Sequence, residues 1–138
     1  MSDTKYRVFV YGTLMQGERN HSVLNGAKLI NGSIRTKEAD FFMLQFDSVS
    51  NPNSGKISPG VFRKGQGKIL GELYEVDTPT FEELDRLEGF GKNYTRQEVT
   101  LNDGSKAWMY IKLSHEQSLP YPTHVDFNPK SQCYYWMG

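Results

Sequence analysis

Short apolar runs alternate with polar, turn-forming stretches along this chain, and one stretch changes period. The runs are "YRVFVY" at 6 to 11, "AKLINGSIRT" near 27 to 36, "DFFMLQF" at 40 to 46, "GVFRK" at 60 to 64, "KILGELYEV" at 68 to 76, "YTRQEVTL" at 94 to 101 and "KAWMYIKL" at 106 to 113. They are rich in β-branched and aromatic residues, most are bounded by Gly, Asn, Asp or Pro, and each predicts a strand. Val8, Phe9, Val10 and Tyr11 are apolar without a break, so the first strand is read as buried. The link "LNDGSK" sets Asp103-Gly104 between two such runs and predicts an antiparallel hairpin. From 47 to 60 the chain is rich in Ser, Asn, Pro and Gly and reads as a surface loop. The tail at 119–138, with three prolines and several aromatics, reads as an extended strap packed on the body.

The change of period comes at "VDTPTFEELDRLEGF", which predicts a helix over 78 to 88. Asp77 or Thr78 can cap its first-turn N–H groups, Pro79 suits the first turn and Gly89 suits the position just past the end. At about 100° per residue, with Phe81 as reference, Leu84 falls near 300°, Leu87 near 240° and Glu88 near 340°. Glu88 therefore shares the apolar face. Glu82, Glu83 and Arg86 point to water, where Glu82 and Arg86 are spaced for an i,i+4 pair.

Composition narrows the function classes. The 138 residues suffice for one domain, 1–138, with a core of its own. Sixteen basic residues against sixteen acidic ones give zero net charge, without the electrostatic footprint of a nucleic-acid binder. Cys133 is the sole cysteine, and His21, His115 and His124 are scattered, so no metal-ligand spacing and no structural zinc are expected. The polar start "MSDTKYR" and the lack of a long apolar run lead to the expectation of a soluble cytoplasmic protein, away from membranes.

Two places carry candidate chemistry. Gly12 ends the first strand; glycine permits positive φ and leaves no Cβ in the way of a ligand, so the N–H groups of Gly12, Thr13 and Leu14 could converge on an anion. An ordinary strand-end turn accounts for the same residues. Glu88, if the helix is seated as the pattern suggests, loses water between Phe81 and Leu84 and faces the negative end of the helix dipole. Both effects raise its pKa, as general acid/base work requires. A frayed, solvated helix end is the other reading.

Taken in order, "VFVYGTL", "GELYEVD" and "LDRLEGFGKNYTRQEVTL" resemble the gamma-glutamylcyclotransferase-like family. The Asn20-His21 and Val23-Leu24 pairs after "YGTLMQG" look more like its gamma-glutamylamine cyclotransferase branch. The resemblance covers most of 6 to 113. It implies an α+β fold, a small mixed β-barrel with short helices, and a loop at Tyr11, Gly12, Thr13 and Leu14 that holds a glutamyl head group. It also implies a catalytic glutamate at Glu88, with Tyr94 and Tyr110 lining the pocket; barrel packing is the plainer role for these tyrosines. The reaction implied turns a small gamma-glutamyl amide into 5-oxoproline and a free amine, without metal or cofactor. The 47 to 60 loop and the tail are expected to shape the end of the pocket that receives the leaving amine. Arg96 could pair with a carboxylate or sit on a wet strand face.

Two other classes remain in view. A non-catalytic binding module of the same fold could hold small carboxylates, since the nest works without Glu88. Hydrolysis through Cys133 has little behind it, because "SQCYYW" offers neither a neighbouring histidine nor a glycine elbow.

Overall fold

The computed structural model describes residues 4–18, 20–24, 26–47, 57–114 and 124–137, and all seven predicted strands are present among them. They are β1 (Lys5–Val10), β2 (Lys28–Arg35), β3 (Phe41–Asp47), β4 (Ile57–Arg63), β5 (Lys68–Asp77), β6 (Tyr94–Thr100) and β7 (Lys106–Lys112). Helix α1 runs Thr78–Glu88 between β5 and β6, and two further strands follow, β8 (Val125–Asn128) and β9 (Cys133–Trp136). Seven strands form a mixed sheet in the order β6-β7-β1-β5-β9-β8, with β2 also paired to β5, while β3 and β4 make a separate hairpin. The sheet curls into a half-barrel that carries α1, the one α-helix among the described residues. Among the described residues, no helix is long and apolar enough to cross a membrane.

The unbroken apolar run of β1 follows from burial on both faces. Phe9 and Tyr11 point into the half-barrel with Ile69, Leu73, Leu101 and Met109, whereas Val8 and Val10 face the helix side with Tyr74, Val76, Phe81 and Leu84. β1 lies between β5, antiparallel, and β7, parallel. The Asp103-Gly104 turn closes the β6–β7 hairpin as predicted, with Gly104 at φ 89° and Tyr94 opposite Lys112 at the far end. Helix α1 begins with Asp77 accepting from the Thr80 N–H at 3.0 Å and ends with Gly89 left-handed at φ 65°, ψ 50°. A side chain at Gly89 would also lie 2.5 Å from the Asn93 amide nitrogen.

Several expectations are corrected. Ile57–Gly60 belong to β4 rather than to the 47–60 loop; Pro59 faces Gln45 in a two-stranded hairpin, where a missing N–H is tolerated. Residues 48–56 of that loop lie outside the described residues. The tail is not a single extended strap: β8 and β9 fold back on each other, and β9 joins the start of β5 in parallel. Its aromatics drive this, with Phe127 against Tyr134 at 4.8 Å and Trp136 in the main core. A short 3-10 turn at His21–Leu24, unforeseen from sequence, packs Leu24 beneath the helix side. Arg86 pairs with Glu83 rather than Glu82; both spacings reach on an exposed helix face. Leu87, expected inward, is 41% exposed because the last turn of α1 overhangs a cavity instead of the core.

Candidate active site

That cavity, of about 310 Å³, lies where the end of β1 meets the end of α1. All seven residues singled out from sequence line it: Tyr11, Gly12, Thr13 and Leu14 from the strand-end loop, Glu88 from the last helical turn, Tyr94 from β6 and Tyr110 from β7. The helix cap at Gly89 and the β6–β7 hairpin place these side chains together from positions far apart in sequence.

Glu88 is half-buried, and burial pushes its carboxyl from 4.5 to about 7, against the pull of the Lys112 ammonium. Burial in turn pushes the Lys112 ammonium down while Glu88 holds it up. Lys112 rests over the rings of Phe46 and Tyr94, 4.7 and 4.8 Å from their centroids. The phenols of Tyr11, Tyr94 and Tyr110 are all raised, by burial first, and the charge on Glu88 adds to each. A ring of un-ionised phenols thus surrounds a carboxyl that is half ionised near neutrality. Their hydroxyls are committed: Tyr11 donates to the Tyr110 carbonyl at 2.9 Å, Tyr94 to the Pro59 carbonyl at 2.9 Å and Tyr110 to Asp85 Oδ1 at 2.6 Å.

The loop after β1 is held from several sides. The carbonyls of Gly12, Thr13 and Leu14 are all engaged within the protein, by the Met15 N–H at 3.0 Å, the Asn20 N–H at 2.9 Å and His21 Nδ1 at 2.9 Å. The last contact requires the His21 proton on Nδ1. Asn20 Nδ2 also donates to Thr13 Oγ1 at 3.0 Å. Further along, the buried carboxylate of Glu72 takes the Gln16 N–H and the Tyr74 hydroxyl, each at 2.9 Å, and Trp136 Nε1 donates to Glu18 at 2.6 Å. With the carbonyls turned to internal partners, amide N–H groups are the backbone polarity this loop can turn to a ligand. Gly12 has an ordinary φ, unlike the left-handed glycines, and so makes no use of the positive φ that glycine permits. Its lack of a Cβ matters for another reason: a Cβ would sit 2.3 Å from Pro59 Cγ.

Sequence reading passed over Asp85, although at i+4 from Phe81 and i−3 from Glu88 it shares their helix face. Arg96 grips it with a two-pronged ion pair, Nε to Oδ1 at 2.9 Å and Nη2 to Oδ2 at 3.1 Å. Ser58, Pro59 and Asn93 also line the cavity, and nothing in local pattern marks them, since they reach it only through the β3–β4 hairpin and the turn after α1. Cys133 is buried, its Sγ 3.6 Å from the Ser131 carbonyl, and it is not among the residues lining the cavity.

Residues 8–129 match the family model described as "Gamma-glutamyl cyclotransferase, AIG2-like". The chain is 32% identical over 105 residues to the gamma-glutamylcyclotransferase family protein YtfP of Escherichia coli K12, covering 76% of this chain and 80% of that protein. Among solved structures, an AIG2-like protein of Mus musculus superposes with a TM-score of 0.67 at 25% identity, over 94% of this chain and 95% of that one. An uncharacterised protein of Pyrococcus horikoshii superposes with a TM-score of 0.59 at 29% identity, covering 83% and 85%.

Proposed function

Because the chain belongs to the gamma-glutamyl cyclotransferase, AIG2-like family, we propose that it is a cyclotransferase of the gamma-glutamylamine type, releasing 5-oxoproline and a free amine with Glu88 as proton shuttle. The observation that carries the reading is Glu88 itself, a carboxyl at the edge of a cavity with its pKa at about 7, opposite a loop whose carbonyls are already engaged. Such a group accepts and returns protons at neutral pH with little driving-force penalty.

In this reading the N–H groups of Gly12, Thr13 and Leu14 hold the substrate's α-carboxylate, and Tyr11, Tyr94 and Tyr110 wall the glutamyl chain into a bent conformer. Bending brings the α-nitrogen onto the γ-carbonyl, where the gain is the one expected of a held near-attack geometry. The α-ammonium gives a proton to Glu88; the freed amine attacks the γ-carbon; the amide C–N bond breaks as the departing nitrogen is protonated. Over the cycle the α-nitrogen loses two protons and the leaving amine gains two, so Glu88 ends as it began. The nucleophile is the substrate's own and the proton carrier is Glu88, which leaves no step for a metal or cofactor. In the same reading the leaving amine extends past Ser58, Asn93 and the exposed Leu87, which line the same cavity.

The test is to incubate the protein with a panel of γ-glutamyl compounds, comprising an ε-linked lysine, a polyamine conjugate, a dipeptide and glutathione, and to measure 5-oxoproline and released amine. Release in equal amounts from the amine conjugates supports the reading. Binding without any 5-oxoproline would replace it with the carboxylate-binding module.

A further inference from the structure

Tyr110 has one hydroxyl proton, and the structure shows where it goes: to Asp85 Oδ1 at 2.6 Å. Oδ1 also receives Arg96 Nε, and Oδ2 receives Arg96 Nη2, so the carboxylate is clamped at both oxygens. The clamp is itself fixed. The Arg96 guanidinium carbon lies 4.4 Å from the centre of the Phe81 ring, 4.8 Å from that of Phe90 and 5.1 Å from that of Trp108. Side-chain exposures of 23% for Arg96 and 22% for Asp85 set the pair apart from a mobile surface ion pair. A phenol whose proton is spent on an immobile anion keeps only lone pairs for anything else. Tyr110 lines the cavity with Glu88, and the charge on Glu88 is felt at its oxygen.

We propose that Asp85, immobilised by Arg96, is a positioning residue that makes Tyr110 a pure hydrogen-bond acceptor on the cavity wall, and that this acceptor docks the ammonium group of the substrate beside Glu88. The inference rests on reading the cavity as a γ-glutamyl site. Its chemistry is specific: a donor-only cation suits an acceptor-only phenol, whereas a free tyrosine hydroxyl could turn its proton into the cavity and repel the same group. Docking there would set the α-nitrogen next to the carboxyl that must take its proton.

The experiment measures binding, so it does not depend on turnover. L-Glutamate and glutarate, which differ only in the α-ammonium, are titrated calorimetrically into wild type, Tyr110→Phe, Asp85→Asn and the double variant, with circular dichroism as a check on folding. Wild type should prefer L-glutamate. Tyr110→Phe should weaken L-glutamate by about 10- to 100-fold, the scale of a hydrogen bond to a charged group, and leave glutarate within about twofold. Asp85→Asn should act in the same direction, and in the Tyr110→Phe background it should add nothing, since both changes remove one interaction. Arg96→Lys, which keeps the charge and loses the fork, should give an intermediate loss for L-glutamate alone. Equal weakening of both ligands would mean a merely structural network and overturn the proposal, as would unchanged L-glutamate binding or additive losses in the double variant. Absence of 5-oxoproline release, by contrast, would strike the proposed reaction and leave this binding result standing.

Discussion

Replacing Glu88 with Gln should stabilise the fold by an amount that grows with pH. Burial lifts the carboxyl from 4.5 to about 7 in the native state, so the folded protein holds a proton that the unfolded chain releases. Below about pH 4.5 both states are protonated and no penalty exists. Between about 4.5 and 7 the native state binds the extra proton, and stability falls as pH rises; above 7 the penalty is complete. A tenfold change in proton affinity is about 1.4 kcal/mol, and a displacement of this size therefore costs the native state about 3 kcal/mol. Gln has no proton to lose and carries no such dependence. The stability gained by Glu88→Gln should be small near pH 4.5 and approach about 3 kcal/mol at pH 8. Urea unfolding followed by the fluorescence of Trp108 and Trp136 at several pH values measures it. Glu83→Gln, on the exposed face of the same helix, should change stability by no more than about 0.5 kcal/mol at any pH. A difference between Glu88→Gln and wild type that does not grow with pH would refute the desolvated carboxyl, and with it the basis for a proton shuttle at this position.

Turnover by Glu88→Gln should fall by about 10² to 10⁴, and the wild-type rate should rise with pH through about 7 as the carboxyl ionises, measured as initial rates of 5-oxoproline release. Gly12→Ala should destabilise by about 1–3 kcal/mol through overpacking, because its Cβ would meet Pro59 Cγ at 2.3 Å. Since the Pro59 carbonyl holds the Tyr94 hydroxyl, the same change should raise KM as well as lower Tm. Gly89→Ala should cost about 1–2 kcal/mol from the left-handed backbone, read as a lowered urea midpoint. Cys133→Ser, treatment with EDTA and mild alkylation should each leave turnover within about twofold, since Cys133 is buried away from the cavity.

Local pattern was enough for strands β1 to β7 and the helix. These strands, helix α1 with its Asp77 cap and Gly89 stop, and the Asp103-Gly104 turn follow from periodicity, propensity and turn chemistry, all of which act over a few residues. Glu88 stood out for the same reason: a carboxylate at helical spacing on an apolar face is visible without tertiary information. Tertiary structure decided how deeply Glu88 is desolvated and that Lys112, 24 positions on and across from Tyr94 in the hairpin, moderates its pKa. It also decided that Gly12 is required by Pro59 rather than by its own φ, and that the tail folds into a hairpin on β5. The Arg96–Asp85–Tyr110 network joins a helix to two strands, and no spacing along the chain announces it. Such features arise from contacts between segments distant in sequence, whose geometry depends on register, sheet curl and packing, and these are settled only when the whole chain competes for one core.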